Sequence, residues 1–226
     1  MLIIADPCPP PPIFDILFRI IGFWKQNRKL RKSACTIAIL GSKGAGKTTL
    51  WQQLSNRYKG KDEVRPTLYT EDTDEFIINY NGELRRVLKS KDYNGDDNAV
   101  SSYKDVIQKG TFIFYLIDLT TLEENKEETA ARLQRIIIDC EMKNLKIFED
   151  VGLHLVATHY NEWKEKNQGK CEQDAKQELL SHIDFDDING LNKIKNSKKF
   201  LDLIIVAELS DNIYIENFYE LIILNK

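Results

Sequence analysis

Eight consecutive residues, Gly41-Ser42-Lys43-Gly44-Ala45-Gly46-Lys47-Thr48, fit the spacing G-x-x-x-x-G-K-[ST]. Phosphate binding is the chemistry such a run can do. Glycines let the backbone curl until several N–H groups and the N-terminus of a following helix point at one anion, an approach that bulkier residues would block. Lys47 would then neutralise the outer phosphates of a nucleotide, the Thr48 hydroxyl would coordinate Mg²⁺, and Thr49 beside it would belong to the phosphate cradle. A chance glycine turn is the competing explanation. The flanks weigh against it, because Cys35 to Leu40 reads as a buried strand and Lys47 to Tyr58 as a helix.

Four further short runs carry polar groups where a nucleotide site needs them: Arg65-Pro66-Thr67, Asp92-Tyr93-Asn94-Gly95, Thr158-His159-Tyr160-Asn161 and Val206-Ala207-Glu208. Taken singly, each could be an ordinary turn or strand end. His154, inside an apolar run, and His182, near a helix end, read as structural.

The elements that must position these residues follow from periodicity. Phe76 to Tyr80 and Leu84 to Leu88 bracket Asn81-Gly82, the pair favoured in two-residue hairpin turns. Asp92 to Ser102 reads as a loop, Tyr103 to Gln108 as a short helix, and Thr111 to Leu119 as a central strand buried on both faces. Thr121 and Glu124 have capping-box spacing at the head of a long helix whose apolar face includes Leu133, Ile136, Ile137 and Cys140. Leu153 to Ala157 and Phe200 to Ala207 read as strands, and Glu172 to Ile183 and Ile213 to Leu224 as helices. Alternating strands and helices predict an α/β fold with a mostly parallel sheet, helices on both faces and one antiparallel edge from the hairpin.

In this order and at this spacing, the chain from Cys35 onward resembles the Ras-like GTPase superfamily of P-loop proteins. The resemblance implies GTP or GDP with Mg²⁺ as ligands. Thr67 would be the switch I threonine that binds Mg²⁺ and senses the γ-phosphate. Asp92 would hold a magnesium-bound water, and Gly95 would offer its N–H to the γ-phosphate at switch II. Thr158, His159 and Asn161 stand at the base-reading element and resemble the T-H-x-D variant of Roc-type domains. Ala207, followed by Glu208, would present its N–H to the base O6. Two positions depart from the pattern. Asn161 replaces a carboxylate that would accept two hydrogen bonds from guanine, whereas an amide has one acceptor. Asp96 stands where the water-orienting glutamine is found in Ras and Arf proteins, so hydrolysis should be slow.

Composition bounds the rest. The chain has 226 residues, 42% of them hydrophobic, and a net charge of −3. One domain over residues 34–226 is expected, after a proline-rich and basic amphipathic segment over residues 1–33. From Ile16 to Lys61 no Asp or Glu occurs. The helical face Ile13 to Trp24, followed by the cations Lys25 to Lys32, predicts docking on an anionic membrane; packing on the domain's own sheet or on a partner chain is the alternative. Cys8, Cys35, Cys140 and Cys171 have neither zinc nor disulfide spacing, which points to a reducing cytosol, at the inner face of a membrane if the helix docks there. Effector or regulatory proteins would bind the switch regions, and no nucleic-acid partner is expected. The leading function is a switch with slow GTP hydrolysis. A scaffold that has kept the fold and lost the usual base selectivity and turnover is the alternative, and an ATP-using P-loop enzyme is less favoured.

Overall fold

Eight residues of near-unbroken apolar character, Thr111–Asp118, can be buried only with cover on both faces, and they occupy the middle of the sheet. The computed structural model describes residues 34–56, 71–93, 100–183, 204–211 and 214–224. In chain order the elements are β1 (Thr36–Gly41), α1 (Lys47–Leu54), β2 (Glu71–Thr73), β3 (Phe76–Tyr80), β4 (Glu83–Val87), β5 (Ser90–Asp92), α2 (Tyr103–Val106), β6 (Thr111–Asp118), α3 (Leu122–Met142), β7 (Gly152–Thr158), α4 (Tyr160–Lys166), α5 (Glu172–His182), β8 (Ile204–Val206) and α6 (Ile215–Leu224). The main sheet has the order β2-β5-β1-β6-β7-β8. Every neighbouring pair is parallel except β2 with β5, so β2 is the single antiparallel edge.

Alternation along the strands assigns the layers. Ile113, Tyr115 and Ile117 of β6 join a core with Leu133, Ile136, Ile137 and Cys140 of α3 and Leu179 of α5. Phe112, Phe114 and Leu116 face the other way, onto Leu50 and Leu54 of α1 and Phe218 and Ile222 of α6. Each layer holds one buried cysteine near its margin, Cys35 with the α1/α6 core and Cys140 with the α3 core. Burial pushes both thiols up to about 11, with a nearby cation, Arg85 or Lys143, opposing the shift.

The expected hairpin forms, with a refinement. Asn81 and Gly82 both take positive φ, 51° and 79°, as a type I′ turn requires. The antiparallel ladder extends past the expected strands in one register: Phe76 faces Val87, and three residues further along each strand Thr73 faces Ser90. Its turn half, β3–β4, forms a two-stranded sheet linked to the start of β1 through the bridge of Cys35 with Val87, and its far half, β2–β5, joins the main sheet as strands. Arg85 of β4 donates to the Ile222 carbonyl and stacks over Phe112, fastening this arm to the last turn of α6.

Three local expectations are corrected. Helix α1 ends at Leu54, short of Tyr58, because Asn56 adopts a left-handed φ of 57° and its N–H turns back to Gln53. Thr121 is the N-cap of α3, but its hydroxyl accepts from the Asn125 amide at 2.9 Å and no capping box closes with Glu124. A capping box forms instead at α5, where the Cys171 N–H reaches Asp174 at 2.7 Å. The short helix α4, which begins within the base-reading run at Tyr160, has no counterpart among the expected elements. No described helix is long and apolar enough to cross a membrane.

Candidate functional site

Parallel strands put their carboxyl ends on one rim, where open α/β sheets bind ligands. Register confirms the level: Gly41 of β1 faces Leu116, Asp118 of β6 faces Thr158, and Asp92 of β5 lies opposite Ile39, two residues before Gly41. The sequence runs containing Gly41, Asp92, Thr158 and Ala207 therefore meet at this rim, although more than 160 residues separate the first from the last.

The loop Gly41 to Gly46 is shaped by its glycines. Gly41, Gly44 and Gly46 take φ values of 139°, 82° and 89°. A Cβ on Gly41 would lie 2.3 Å from the Leu116 carbonyl oxygen, and one on Gly46 would lie 2.7 Å from Leu209. Gly44 opens onto free space, the side an anion would approach from. Gly46 is the N-cap of α1 and provides no side-chain cap, so the helix's first N–H groups, at Lys47, Thr48 and Thr49, are presented by backbone geometry alone. Ser42 and Ala45 are buried, whereas Lys43 is exposed beside Gly44.

Lys47 is buried along the loop, its Nζ donating to the Ser42 carbonyl at 2.7 Å and the Gly41 carbonyl at 3.1 Å. The Gly41 carbonyl also accepts from Arg132 of α3 at 3.3 Å, so two cationic side chains converge on one oxygen. Arg132 is almost fully buried and pairs with Glu128 at 2.5 Å. It also lies against Tyr103 of α2, whose phenol burial pushes up and Arg132 holds back. Tyr103 in turn packs edge-on against Tyr93, the residue after Asp92.

Thr48 donates its hydroxyl to Asp92 Oδ2 at 2.9 Å. A hydroxyl in the first turn of a helix whose N-terminus faces an anion cradle, and a carboxylate at the end of β5, are hard oxygen donors of the kind Mg²⁺ takes in ones and twos beside substrate phosphates. No cluster of three or more His, Cys, Asp or Glu that could hold a metal occurs among the described residues. The Thr48 and Asp92 oxygens fit a magnesium ion that would take its other ligands from phosphates and water.

The base-reading run sits where β7 ends. Thr158 is buried and donates to the Ile117 carbonyl at 3.3 Å. His159 takes a left-handed φ of 58° as the N-cap of α4, and its Nε2 meets the Gly44 carbonyl at 3.1 Å, joining this loop to the phosphate loop. Asn161 is exposed, and its N–H donates to Glu208 Oε2 at 3.3 Å. The Ala207 N–H donates to Ala157 at 2.9 Å, one further rung of the β7–β8 ladder. The N–H expected to meet a base is thus engaged within the sheet here. Gln53 of α1 donates to the Leu209 carbonyl, tying the same loop to α1.

Thr67, Gly95 and Asp96 lie outside the described residues, as does the segment 1–33. Sequence reasoning missed Arg132, Gln53 and the contact between Asn161 and Glu208. Charged or polar residues on helix and loop carry no local sign of a partner so distant along the chain.

No family model matches the chain. It is similar to the signal recognition particle receptor subunit beta of Dictyostelium discoideum, 30% identical over 129 residues. The match takes in 57% of this chain and 42% of that relative, so the chain spans less than half of the relative's length. The likeness supports the Ras-like GTPase superfamily, and no finer placement.

Proposed function

We propose that the chain is a guanine-nucleotide-binding switch. The observation carrying this reading is the Thr48–Asp92 pair, 2.9 Å apart below a glycine cradle whose φ values exclude most other residues. The similarity to the receptor subunit gives the guanine class its support.

In this reading the backbone N–H groups of Gly44 to Thr49 bind the phosphates, and Lys47 turns its ammonium from the loop's own carbonyls to bridge loop and phosphate. Thr48 would hold Mg²⁺ directly and Asp92 would hold it through water, with Thr67 as a further ligand. When bound, the ion neutralises charge on the outer phosphate oxygens. His159 orients the loop in which Thr158 and Asn161 face the base. Gly95 and Asp96 would lie near the γ-phosphate, and Asp96, a carboxylate without a proton to donate, stabilises no developing charge there. Unassisted hydrolysis is therefore slow. Effector or regulatory proteins would recognise the switch segments around Thr67 and Gly95, and residues 13–32 would contact an anionic membrane.

The deciding experiment is to denature the purified protein, identify any released nucleotide chromatographically, and titrate the stripped protein with GTP, XTP and ATP in the presence of Mg²⁺. Release or tight binding of GDP or GTP supports the reading. No release, and no binding of any of the three, overturns it. The alternative scaffold role draws on Asn161 and Asp96; it predicts binding without measurable turnover, or with no preference for guanine.

A further inference from the structure

Glu208 is a carboxylate only 5% exposed at the nucleotide rim, in a loop expected to touch the base through backbone alone. Its two oxygens serve different loops. Oε2 accepts the Asn161 N–H at 3.3 Å, and Oε1 accepts the Ser210 hydroxyl at 2.6 Å and the Ser210 N–H at 3.3 Å. Glu208 therefore joins the start of α4 to the turn after β8, two segments that are 47 positions apart. The same turn is held from below by Gln53 and by Leu209 packed over Gly46. Burying a carboxylate is costly unless its acceptors are used, and this one is placed so that they are.

Position 161 carries a neutral amide in the segment against which this charge is held. The contact is made by the main chain of Asn161, an exposed residue, so Glu208 holds the segment whatever side chain position 161 presents to a base. We propose that Glu208 is the positioning residue for base recognition: it clamps the Thr158–Asn161 segment to the 207–211 turn. The inference rests on the nucleotide-binding reading above and extends it to the residue that sets purine discrimination.

The test is calorimetry on the full chain with Mg²⁺ and three probes, GTP, ATP and inorganic tripolyphosphate, the last having no base. Glu208→Gln, which keeps the shape and loses the charge, should weaken GTP at least tenfold and narrow the ratio of GTP to ATP affinity, with tripolyphosphate held within about twofold of the parent. The proposal is overturned if Glu208→Gln binds GTP like the parent, or if it loses GTP and tripolyphosphate by the same factor. A parent that binds tripolyphosphate yet does not distinguish GTP from ATP sinks the positioning role and leaves the phosphate site standing. A parent that binds none of the probes removes both readings. Should Glu208→Gln prove unstable, Ser210→Ala, which removes one of its tethers, is read in the same way.

Discussion

Lys47 and Gly41 show how two residues of one motif fail differently. Lys47→Ala removes the side-chain cation that would meet a nucleotide's phosphates and should abolish tight nucleotide binding; titration with a fluorescent nucleotide checks it, and equal affinities would remove the phosphate-loop assignment. Gly41→Ala acts on the fold instead. Its Cβ would lie 2.3 Å from the backbone oxygen of Leu116 in a conformation with φ of 139°, which L side chains rarely adopt. A cost of roughly 2–4 kcal/mol is expected, measured as a fall in the urea midpoint, because a central β-strand cannot move aside as a side-chain tip can. His154 is a third kind of residue, buried against Phe114 with ring centroids 5.7 Å apart and outside the binding rim. Burial holds its imidazole down at about 4, below its ordinary value of 6.5. With the folded value lowered, the unfolded chain takes up the proton first, so the contribution of this histidine is complete above pH 6.5 and is lost as pH falls towards 4. The amount is on the order of 3 kcal/mol. His154→Phe should flatten the dependence of the urea midpoint on pH across that window, and an unchanged slope would assign it to other groups.

Legibility differed between elements for physical reasons. The central strand β6 and the Asn81-Gly82 turn were readable, because double-sided burial and positive φ leave strong local marks on sequence. Strands β2 and β5 were not, since Glu71-Asp72-Thr73 and Ser90-Lys91-Asp92 are polar and become strands only by continuing a ladder begun elsewhere. Helix α4 was missed because seven residues give too short a period to see. The phosphate loop was legible as a motif, whereas the tie between Asn161 and Glu208 depends on contacts that no local spacing encodes. Helix α3 gave up its apolar face to sequence analysis but concealed Arg132. That side chain joins α3 to the Gly41 carbonyl and to Tyr103 of α2, so Arg132→Ala should destabilise the fold on the order of 2–4 kcal/mol and leave less order in α2 than in β7. Hydrogen exchange resolved by segment would test this, and uniform protection loss would mean that Arg132 serves α3 alone.

At the scale of the whole molecule, the site depends on a sheet that neither layer could support alone. Hydrolysis without a partner should remain in the range of ~10⁻⁴ to 10⁻² per second or below. Single-turnover phosphate release measures it, and a faster rate would require a water-positioning group other than Asp96. The two layers can also be watched separately with chemistry already in the chain. Cys35 and Cys140 report from opposite faces of the sheet, and both thiols are held protonated by burial, whereas Cys171 is exposed at the start of α5. An electrophile should therefore alkylate Cys171 at once in the native protein and reach Cys35 and Cys140 only through opening events. Pulse alkylation read by mass spectrometry then gives each layer its own clock: matching rates at Cys35 and Cys140 mean that the layers open as one cooperative unit, and a faster rate at one names the face that opens first.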